Sequence, residues 1–287
     1  MKPLLVLLGL LGIAQAQIPD VRFKLDLTIC AESIQGGPTS IHLYDPLGHT
    51  STAAITVNFE SGLSAFVSER LEQIANDPSP APLEEYYVQD PGIWRLGKQF
   101  LPFGQGAILR ENVLAARGDF PAFENVNLAI AACDGGSGDQ SGIIGRLGNR
   151  WGISAAIGRH FGISPTSLDI IRLPDQTPGV GSGWKQVVGA DNYQKIGKLT
   201  ITGEAAIFTG GEVRTEKDLS LFDLSSTYAA DRFHTVTLGW SRDLTTRRDY
   251  YRLTGSVNLR KELAIVPLLR VQDNRFLDFS ASLRIRI

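Results

Sequence analysis

The chain ends in "FLDFSASLRIRI" (276–287), and this stretch alternates between apolar and polar residues without a break. Every second residue from Leu277 to Ile287 is apolar, and the residues between them, from Asp278 to Arg286, are polar. A period of two predicts a β-strand with one apolar and one polar face. Chain ends are commonly frayed, so a two-faced strand that reaches the last residue implies that this end has a partner.

The same two-residue period recurs along most of the chain. Each recurrence places apolar side chains on one face and polar side chains on the other, as in a half-buried strand. Stretches rich in Gly, Pro, Ser and Asp separate these segments and are typical of loops. The clearest segments are "RFKLDLTI" (22–29), "ITVNFE" (55–60), "WGISAAIG" (151–158), "KLTITGEAAI" (198–207), "TVTLGWS" (235–241) and "YRLTGSVNLR" (251–260).

One segment, "LSAFVSERLEQIA" (63–75), fits two structures. Its apolar residues follow the 3.6-residue period of a helix, while its first half also fits a strand with Ala65, Val67 and Glu69 on one side. The sequence leaves both open.

The first sixteen residues, "MKPLLVLLGLLGIAQA", have the layout of a secretory signal peptide. Lys2 precedes a short apolar run, and small residues flank the expected cleavage point before Gln17. The run is too short to cross about 30 Å of hydrocarbon. We therefore expect an exported chain in which residues 17–287 form a single domain.

Composition excludes several classes of function. The net charge of −2 gives no reason to expect nucleic acid as a partner. Two cysteines, Cys30 and Cys133, and four histidines have no zinc-site spacing, so we predict no metal and no cofactor. Because an exported chain meets oxidising conditions, a disulfide between the two cysteines is left open.

Two all-β architectures use many alternating strands: a soluble sandwich or barrel, and a transmembrane antiparallel β-barrel of the outer-membrane type. Long charged side chains in the middle of the polar faces favour a water-filled lumen over a packed core. The apolar faces mix large and small residues, which favours contact with lipid, because lipid adapts to an uneven surface. In lipid, a closed barrel must pair its last strand with its first. We therefore predict a barrel of about 12–16 strands in which the final strand pairs with residues 22–29.

Two stretches, "WRLGKQFLPFGQG" (94–106) and "VVGADNYQKIGKLTITGEAAIF" (187–208), resemble segments of Gram-negative outer-membrane porins of the phosphate-selective O/P type and related β-barrel porins. The resemblance rests on the Pro102-Phe103-Gly104 turn and on Gly203-Glu204. It implies an outer-membrane channel for small polar or anionic solutes that is embedded in the lipid bilayer. Assembly into a homotrimer is left open. The chain is short for that family and ends in Ile287 instead of an aromatic residue, so the solute preference does not carry over.

Ten charged residues on the polar faces are candidates for lining the pore. The basic ones outnumber the acidic ones, which would raise the local concentration of anions. The alternative is that these charges pair across strands and only stiffen the wall. The candidates are Arg22, Lys24, Asp26, Arg95, Lys198, Glu204, Arg252, Arg270, Arg284 and Arg286.

No catalytic motif supports an enzyme. "GDQSG" places Ser141 one position too late for a nucleophile elbow, and "KIGKLT" lacks the residues of a P-loop. Two alternatives to a channel remain. One is a non-conducting barrel, an envelope scaffold or adhesin plugged by segment 63–75 or by long loops. The other is a soluble periplasmic β-rich protein that binds a ligand.

Overall fold

The computed structural model describes residues 19–34, 37–47, 50–71, 83–109, 112–124, 126–134, 141–161, 184–210 and 218–287. The predicted signal peptide, residues 1–16, lies outside them. No helix in these ranges is long and apolar enough to cross a membrane. The described strands are β1 (Asp20–Ile34), β2 (Thr39–His42), β3 (Thr52–Asn58), β4 (Ser64–Arg70), β5 (Leu83–Asp90), β6 (Trp94–Phe100), β7 (Asn112–Phe123), β8 (Val126–Asp134), β9 (Ser141–Gly148), β10 (Trp151–Phe161), β11 (Trp184–Ile196), β12 (Leu199–Thr209), β13 (Leu219–Ala229), β14 (His234–Asp243), β15 (Arg248–Arg260), β16 (Leu263–Gln272) and β17 (Arg275–Arg286).

The strands close into a barrel through the two ends of the chain. From β3 onward each strand pairs antiparallel with the next, and β17 pairs back with β1 from Asp26–Arg286 to Ile34–Asp278. The backbone of Ile287 still makes two hydrogen bonds of 2.9 Å to the first strand. This confirms the predicted closing strand and gives the alternating end its partner.

The wall of the barrel has sixteen strands although the described residues contain seventeen. The reason is that β2 and β3 both pair with β1, one with its end and the other with its beginning, and together occupy one place in the wall. The protein is therefore a transmembrane antiparallel β-barrel of the outer-membrane type, with a strand number inside the predicted range.

The outer surface of the wall carries the apolar faces predicted from the sequence. On β10, Trp151 and Ile153 are 68% and 65% exposed, while the alternate residues Ser154 and Ala156 are buried. Similar rows of exposed large apolar side chains follow the other long strands. Such a surface suits lipid and not water, so the soluble periplasmic alternative is wrong.

The two rims of the barrel differ. Connections of two to five residues lie at the rim that also holds both ends of the described chain. The other rim has three connections as short as these and also the longer ones, up to the one between β10 and β11. Exposed aromatic residues such as Phe23, Phe123 and Trp151 lie near the rim with the short turns. Short turns on one side, longer loops on the other and aromatic residues at the interface are typical of outer-membrane barrels.

The ambiguous segment 63–75 is a strand as far as it is described. Residues Ser64–Arg70 form β4, which pairs with β3 on one side and β5 on the other. The helix is wrong here because two neighbouring strands satisfy the backbone of β4 and its side chains join the two faces of the wall.

The two cysteines are free and buried in the structure. Cys30 lies on β1 and Cys133 on β8, and the strands beside β1 are β2, β3 and β17. A bridge needs Cα atoms within about 7 Å, whereas strands in a wall are about 4.8 Å apart and these two are separated by several others. The disulfide left open by the sequence is therefore not formed.

Candidate functional site inside the barrel

The connection after β6 folds into the barrel. We call residues 101–109 the inner loop. Its residues Phe103, Ile108 and Leu109 are almost fully buried, which a connection that stayed at the rim would not allow. They pack with inward apolar residues of the wall such as Val187 and Phe208. The inner loop therefore narrows the lumen from one side.

A single carboxylate holds the inner loop against the wall. Glu204 on β12 accepts backbone hydrogen bonds from Gln105 at 2.9 Å, Ala107 at 3.0 Å and Ile108 at 3.3 Å. Gly104 makes this approach possible, because a Cβ atom there would lie 2.6 Å from Oε1 of Glu204. The two stretches that resemble porin segments are thus in direct contact through Gly104 and Glu204.

Two further contacts fix the position of the inner loop. The Gly104 N–H donates to the hydroxyl of Ser154 on β10 at 2.9 Å, and the side-chain amide of Gln105 donates to Asp191 on β11 at 2.7 Å. Together with Glu204 they attach the loop to three consecutive strands of the wall.

Glu204 is the middle member of a row of three carboxylates. Asp191, Glu204 and Asp223 are direct cross-strand neighbours on β11, β12 and β13. Like charges in such positions destabilise a sheet unless they are compensated. Arg146 binds Asp191 at 2.9 Å, and Arg252 binds Asp223 at 2.8 and 2.9 Å. Glu204 is compensated by the backbone N–H groups of the inner loop.

Both of these arginines lie flat on the wall because glycines stand beneath them. Arg146 crosses β10 above Gly152, where a Cβ atom would lie 2.5 Å from Nη2 of the arginine. Arg252 crosses β14 above Gly239, where a Cβ atom would lie 2.6 Å from Cγ. The small residues on the inner face therefore have a role in the ion pairs, which the sequence pattern did not reveal.

A second charged cluster lies on another part of the inner wall. Arg270 on β16 binds Asp278 on β17 at 2.8 and 3.0 Å and Glu32 on β1 at 3.2 Å. It also donates to the hydroxyl of Tyr250 at 3.4 Å. Two carboxylates thus share one guanidinium, which ties the first strand to the last two.

The structure places three predicted pore-lining arginines inside the barrel but buries them in ion pairs. The side chains of Arg252, Arg270 and Arg284 are only 11%, 9% and 12% exposed. Arg284 binds Asp45, which lies in the connection between β2 and β3. For these residues the expectation of a wet basic wall is wrong, because buried acids neutralise them. The alternative of pairing across strands holds for Arg252 and Arg270.

Four predicted residues lie near the rim with the short turns and keep contact with water. The side chains of Arg22 and Lys24 are mostly exposed, and that of Arg286 is 59% exposed. Asp26 lies between them, 3.3 Å from Arg286 and 3.9 Å from Lys24. These four charges are therefore accessible to water at that mouth of the barrel.

The other three predicted residues have different surroundings. Arg95 lies over the ring of Tyr87, 4.1 Å from its centre. Lys198 is not on a strand but in the turn before β12, where its ammonium donates to a backbone carbonyl at 2.6 Å. Its placement on the lumen wall was wrong because Gly197, with φ of 58°, ends the preceding strand. Glu204 faces inward as predicted but is covered by the inner loop.

Five residues on which the site depends were not predicted from the sequence. Of these, Glu32 continues the polar phase of β1 beyond the quoted segment, so a longer reading of that alternation would have found it. The partners of the other four lie on strands far apart in the sequence, and no local signal identifies them. The missed residues are Glu32, Asp45, Arg146, Asp191 and Asp223.

The inner loop leaves space beside it. A cavity of about 590 Å³ lies between the loop and the inner faces of β7, β8 and β9. Its lining combines loop residues such as Leu101 and Gln105 with Arg117, Asn127 and Arg146 of the wall. Within the described ranges, no three His, Cys, Asp or Glu side chains are arranged to hold a metal ion.

No protein-family model and no curated protein matches the chain. Solved structures do match over nearly its whole length. They include the outer membrane channel DcaP of Acinetobacter baumannii (TM-score 0.65, 10% identity, 96% of this chain and 99% of the other). They also include an anion-selective porin from Comamonas acidovorans (0.60, 12%, 94% and 99%) and the trimer form of OmpT of Vibrio cholerae (0.60, 10%, 94% and 100%). At these identities the likeness shows the fold, which is that of outer-membrane porins.

Proposed function

We propose that the chain is an outer-membrane porin that forms an aqueous channel for diffusion of small polar or anionic solutes. The cavity of about 590 Å³ beside the inner loop carries this proposal. The loop narrows the barrel without filling it, and the remaining space is lined by guanidinium and amide groups, by the Asp119 carboxylate and by apolar loop side chains. A narrowed polar lumen within a closed wall is the arrangement that selects solutes by size and charge.

The main competitor is a non-conducting barrel. Segment 63–75 was one candidate plug, but residues Ser64–Arg70 belong to the wall and are not available to fill the lumen. That placement favours a channel over this form of the non-conducting barrel. The other candidate plug, the long loops, is tested by conductance.

The preference for anions rests on the mouth with the short turns. Three exposed basic residues, Arg22, Lys24 and Arg286, face two acids there, Asp20 and Asp26, which leaves an excess of positive charge. The arginines deeper in the barrel are buried and neutralised by acids. We therefore infer a mild anion preference generated at this mouth. We also propose that the chain is related to porins of the phosphate-selective O/P type. The contact between Gly104 and Glu204, which joins the two stretches that resemble those porins, supports this relationship.

Location and assembly complete the proposal. Residues 1–16 would direct export and be cleaved, and the barrel would lie in the outer membrane of a Gram-negative cell. A homotrimer is the proposed assembly, since one similar structure is described as a trimer form. Native mass spectrometry of the detergent-extracted protein measures this directly.

Conductance in a planar lipid bilayer tests the proposed function. Protein refolded in detergent should give stepwise current increases, and the same sample after boiling in SDS should give none. A salt gradient across the bilayer then gives the reversal potential, and anion preference sets its sign. If the protein shows the faster gel migration of a folded barrel when unheated but gives no steps, it is a non-conducting barrel and the proposal fails.

A further inference from the structure

The second strand of the wall is interrupted in an unusual way. On β1, Cys30 pairs with His42 and Asp26 pairs with Thr52. Three residues of β1 lie between these pairs, but nine residues of the second strand do. The second strand therefore leaves the wall after His42 and returns at Thr52 with six residues more than a regular ladder needs.

The extra residues form a small hairpin. Tyr44 and Thr50 pair as an isolated antiparallel bridge, and the Ser51 N–H donates to the carbonyl of Leu43 at 2.8 Å. The gap in the wall is closed by a side chain, because the Ser51 hydroxyl accepts from the N–H of Thr28 at 2.8 Å and donates to its carbonyl at 3.0 Å. We call the described residues 43–47 and 50–51 the inner hairpin.

The inner hairpin lies against the inner face of the last two strands. Asp45 is buried and binds Arg284 on β17, and the carbonyl of Pro46 accepts from Arg270 on β16 at 3.3 Å. From its own place in the wall, the hairpin extends over the inner face of the barrel toward β17. There it meets the guanidinium groups that Arg284 extends from β17 and Arg270 extends from β16.

The structure assigns the inner hairpin as a second constriction of the channel, positioned by Arg284 and Arg270, so that the passage runs between the hairpin and the inner loop. This inference rests on the proposed function and deepens it. It makes Asp45 and the two arginines positioning residues for the size limit of the solutes. The inner loop alone would leave the side of the lumen next to β16 and β17 open.

Deleting residues 45–50 is the sharpest test of the proposed second constriction. The deletion removes six residues and lets Leu43, Tyr44 and Ser51 pair with Ile29, Thr28 and Leu27 in an unbroken ladder. We expect the shortened barrel to fold, to conduct more than the parent and to admit larger neutral sugars into liposomes in a swelling assay. Unchanged conductance and an unchanged sugar limit in a folded deletion variant would overturn the inference.

A cross-link tests the position of the hairpin without relying on conduction or on the deletion. In a Cys30→Ser, Cys133→Ser background, Asp45→Cys with Arg284→Cys should be joined in the folded barrel by a bifunctional thiol reagent long enough to span the Asp45–Arg284 ion pair. The matched control replaces Arg284→Cys by Ile41→Cys, which places the thiol on the outer face. Non-reducing mass spectrometry measures the cross-linked fraction of both variants. Absence of the cross-link in the first variant, or equal cross-linking in both, would overturn the inference.

The two proposals fail in distinguishable ways. If the parent does not conduct but the deletion variant does, the hairpin is a plug, which rejects the proposed open channel and strengthens the assignment of the hairpin to the lumen. If neither conducts while both are folded, both proposals are wrong. If the parent conducts and the deletion changes nothing, only the second constriction is wrong.

Discussion

The inner loop and the inner hairpin attach to the wall by opposite electrostatics. At the inner loop the wall supplies a carboxylate, Glu204, and the chain that folds inward supplies three backbone N–H donors. At the inner hairpin the wall supplies guanidinium groups, and the inward chain supplies the Asp45 carboxylate and the Pro46 carbonyl. The inner loop binds the wall carboxylate with backbone N–H groups, as a helix N-terminus binds an anion. The wall arginine binds the carboxylate of the hairpin in a charge-assisted pair.

This difference decides how each element depends on the rest of the barrel. Glu204 accepts hydrogen bonds from the inner loop, so its loss should loosen that loop, which Ser154 and Asp191 still hold, and leave the ion pairs of the wall intact. Arg270 also binds Asp278 and Glu32, so it holds the closing strands together as well as the hairpin. The hairpin is therefore coupled to closure of the barrel, and the inner loop is not.

The largest effect should follow Arg270→Gln. This change leaves the buried carboxylates of Asp278 and Glu32 without their shared partner, and breaking a buried ion pair costs about 3–5 kcal/mol. We expect a loss of that size in the free energy of unfolding, measured by denaturant titration of the refolded barrel. Arg275→Gln, on an exposed residue of the same region, is the control and should change little. Equal unfolding midpoints for the two variants would disprove the coupling.

Glu204→Gln should have a smaller effect on stability and a specific effect on the inner loop. The amide cannot accept all three N–H groups and presents donors toward them, at a cost of about 1–3 kcal/mol. We expect higher and noisier single-channel current, while the cross-link between positions 45 and 284 still forms. Glu60→Gln in the turn after β3 is the control. Quiet current at the parent level would mean that Glu204 does not hold the loop.

The sequence predicted the wall well because alternation is local. The face of each residue in β10, β12 and β17 follows from its neighbours two places away, and the need to close the barrel assigned the last strand its partner. The charges were harder to assign, because Arg284 and Asp45 are far apart in the chain and meet only through the barrel. The alternation of apolar and polar residues along one strand shows which charged side chains face inward. It does not show which of them form ion pairs with one another.

Substitution of two glycines in the inner loop separates backbone strain from contact with the wall. Gly104 and Gly106 both have positive φ, 49° and 74°. A Cβ at Gly106 meets no atom within 4 Å, whereas a Cβ at Gly104 meets Glu204. Gly106→Ala should cost about 1–2 kcal/mol from the left-handed backbone alone. Gly104→Ala should cost more and also raise current noise, as Glu204→Gln does. If the two variants are equally stable and equally quiet, the contact between Gly104 and Glu204 does not restrain the loop.

The smallest effect on stability, and an informative one, belongs to Arg286. It lies two residues from Arg284 on the same face of β17, but it is largely exposed and 3.3 Å from Asp26. Exposed ion pairs contribute about 0.2–1 kcal/mol, so Arg286→Gln should fold almost as the parent does. Its charge faces water at the mouth, so removing it should move the reversal potential in a salt gradient toward cation preference.

The double variant Asp45→Asn, Arg284→Gln is the matched comparison, because it removes both charges of the buried pair and leaves the net charge of the passage unchanged. We expect this double variant to lower stability, with little change in the reversal potential apart from that caused by a looser hairpin. If the double variant changed selectivity more than Arg286→Gln, the buried pair would lie in the conducting path, and the division between a neutralised interior and a basic mouth would be wrong.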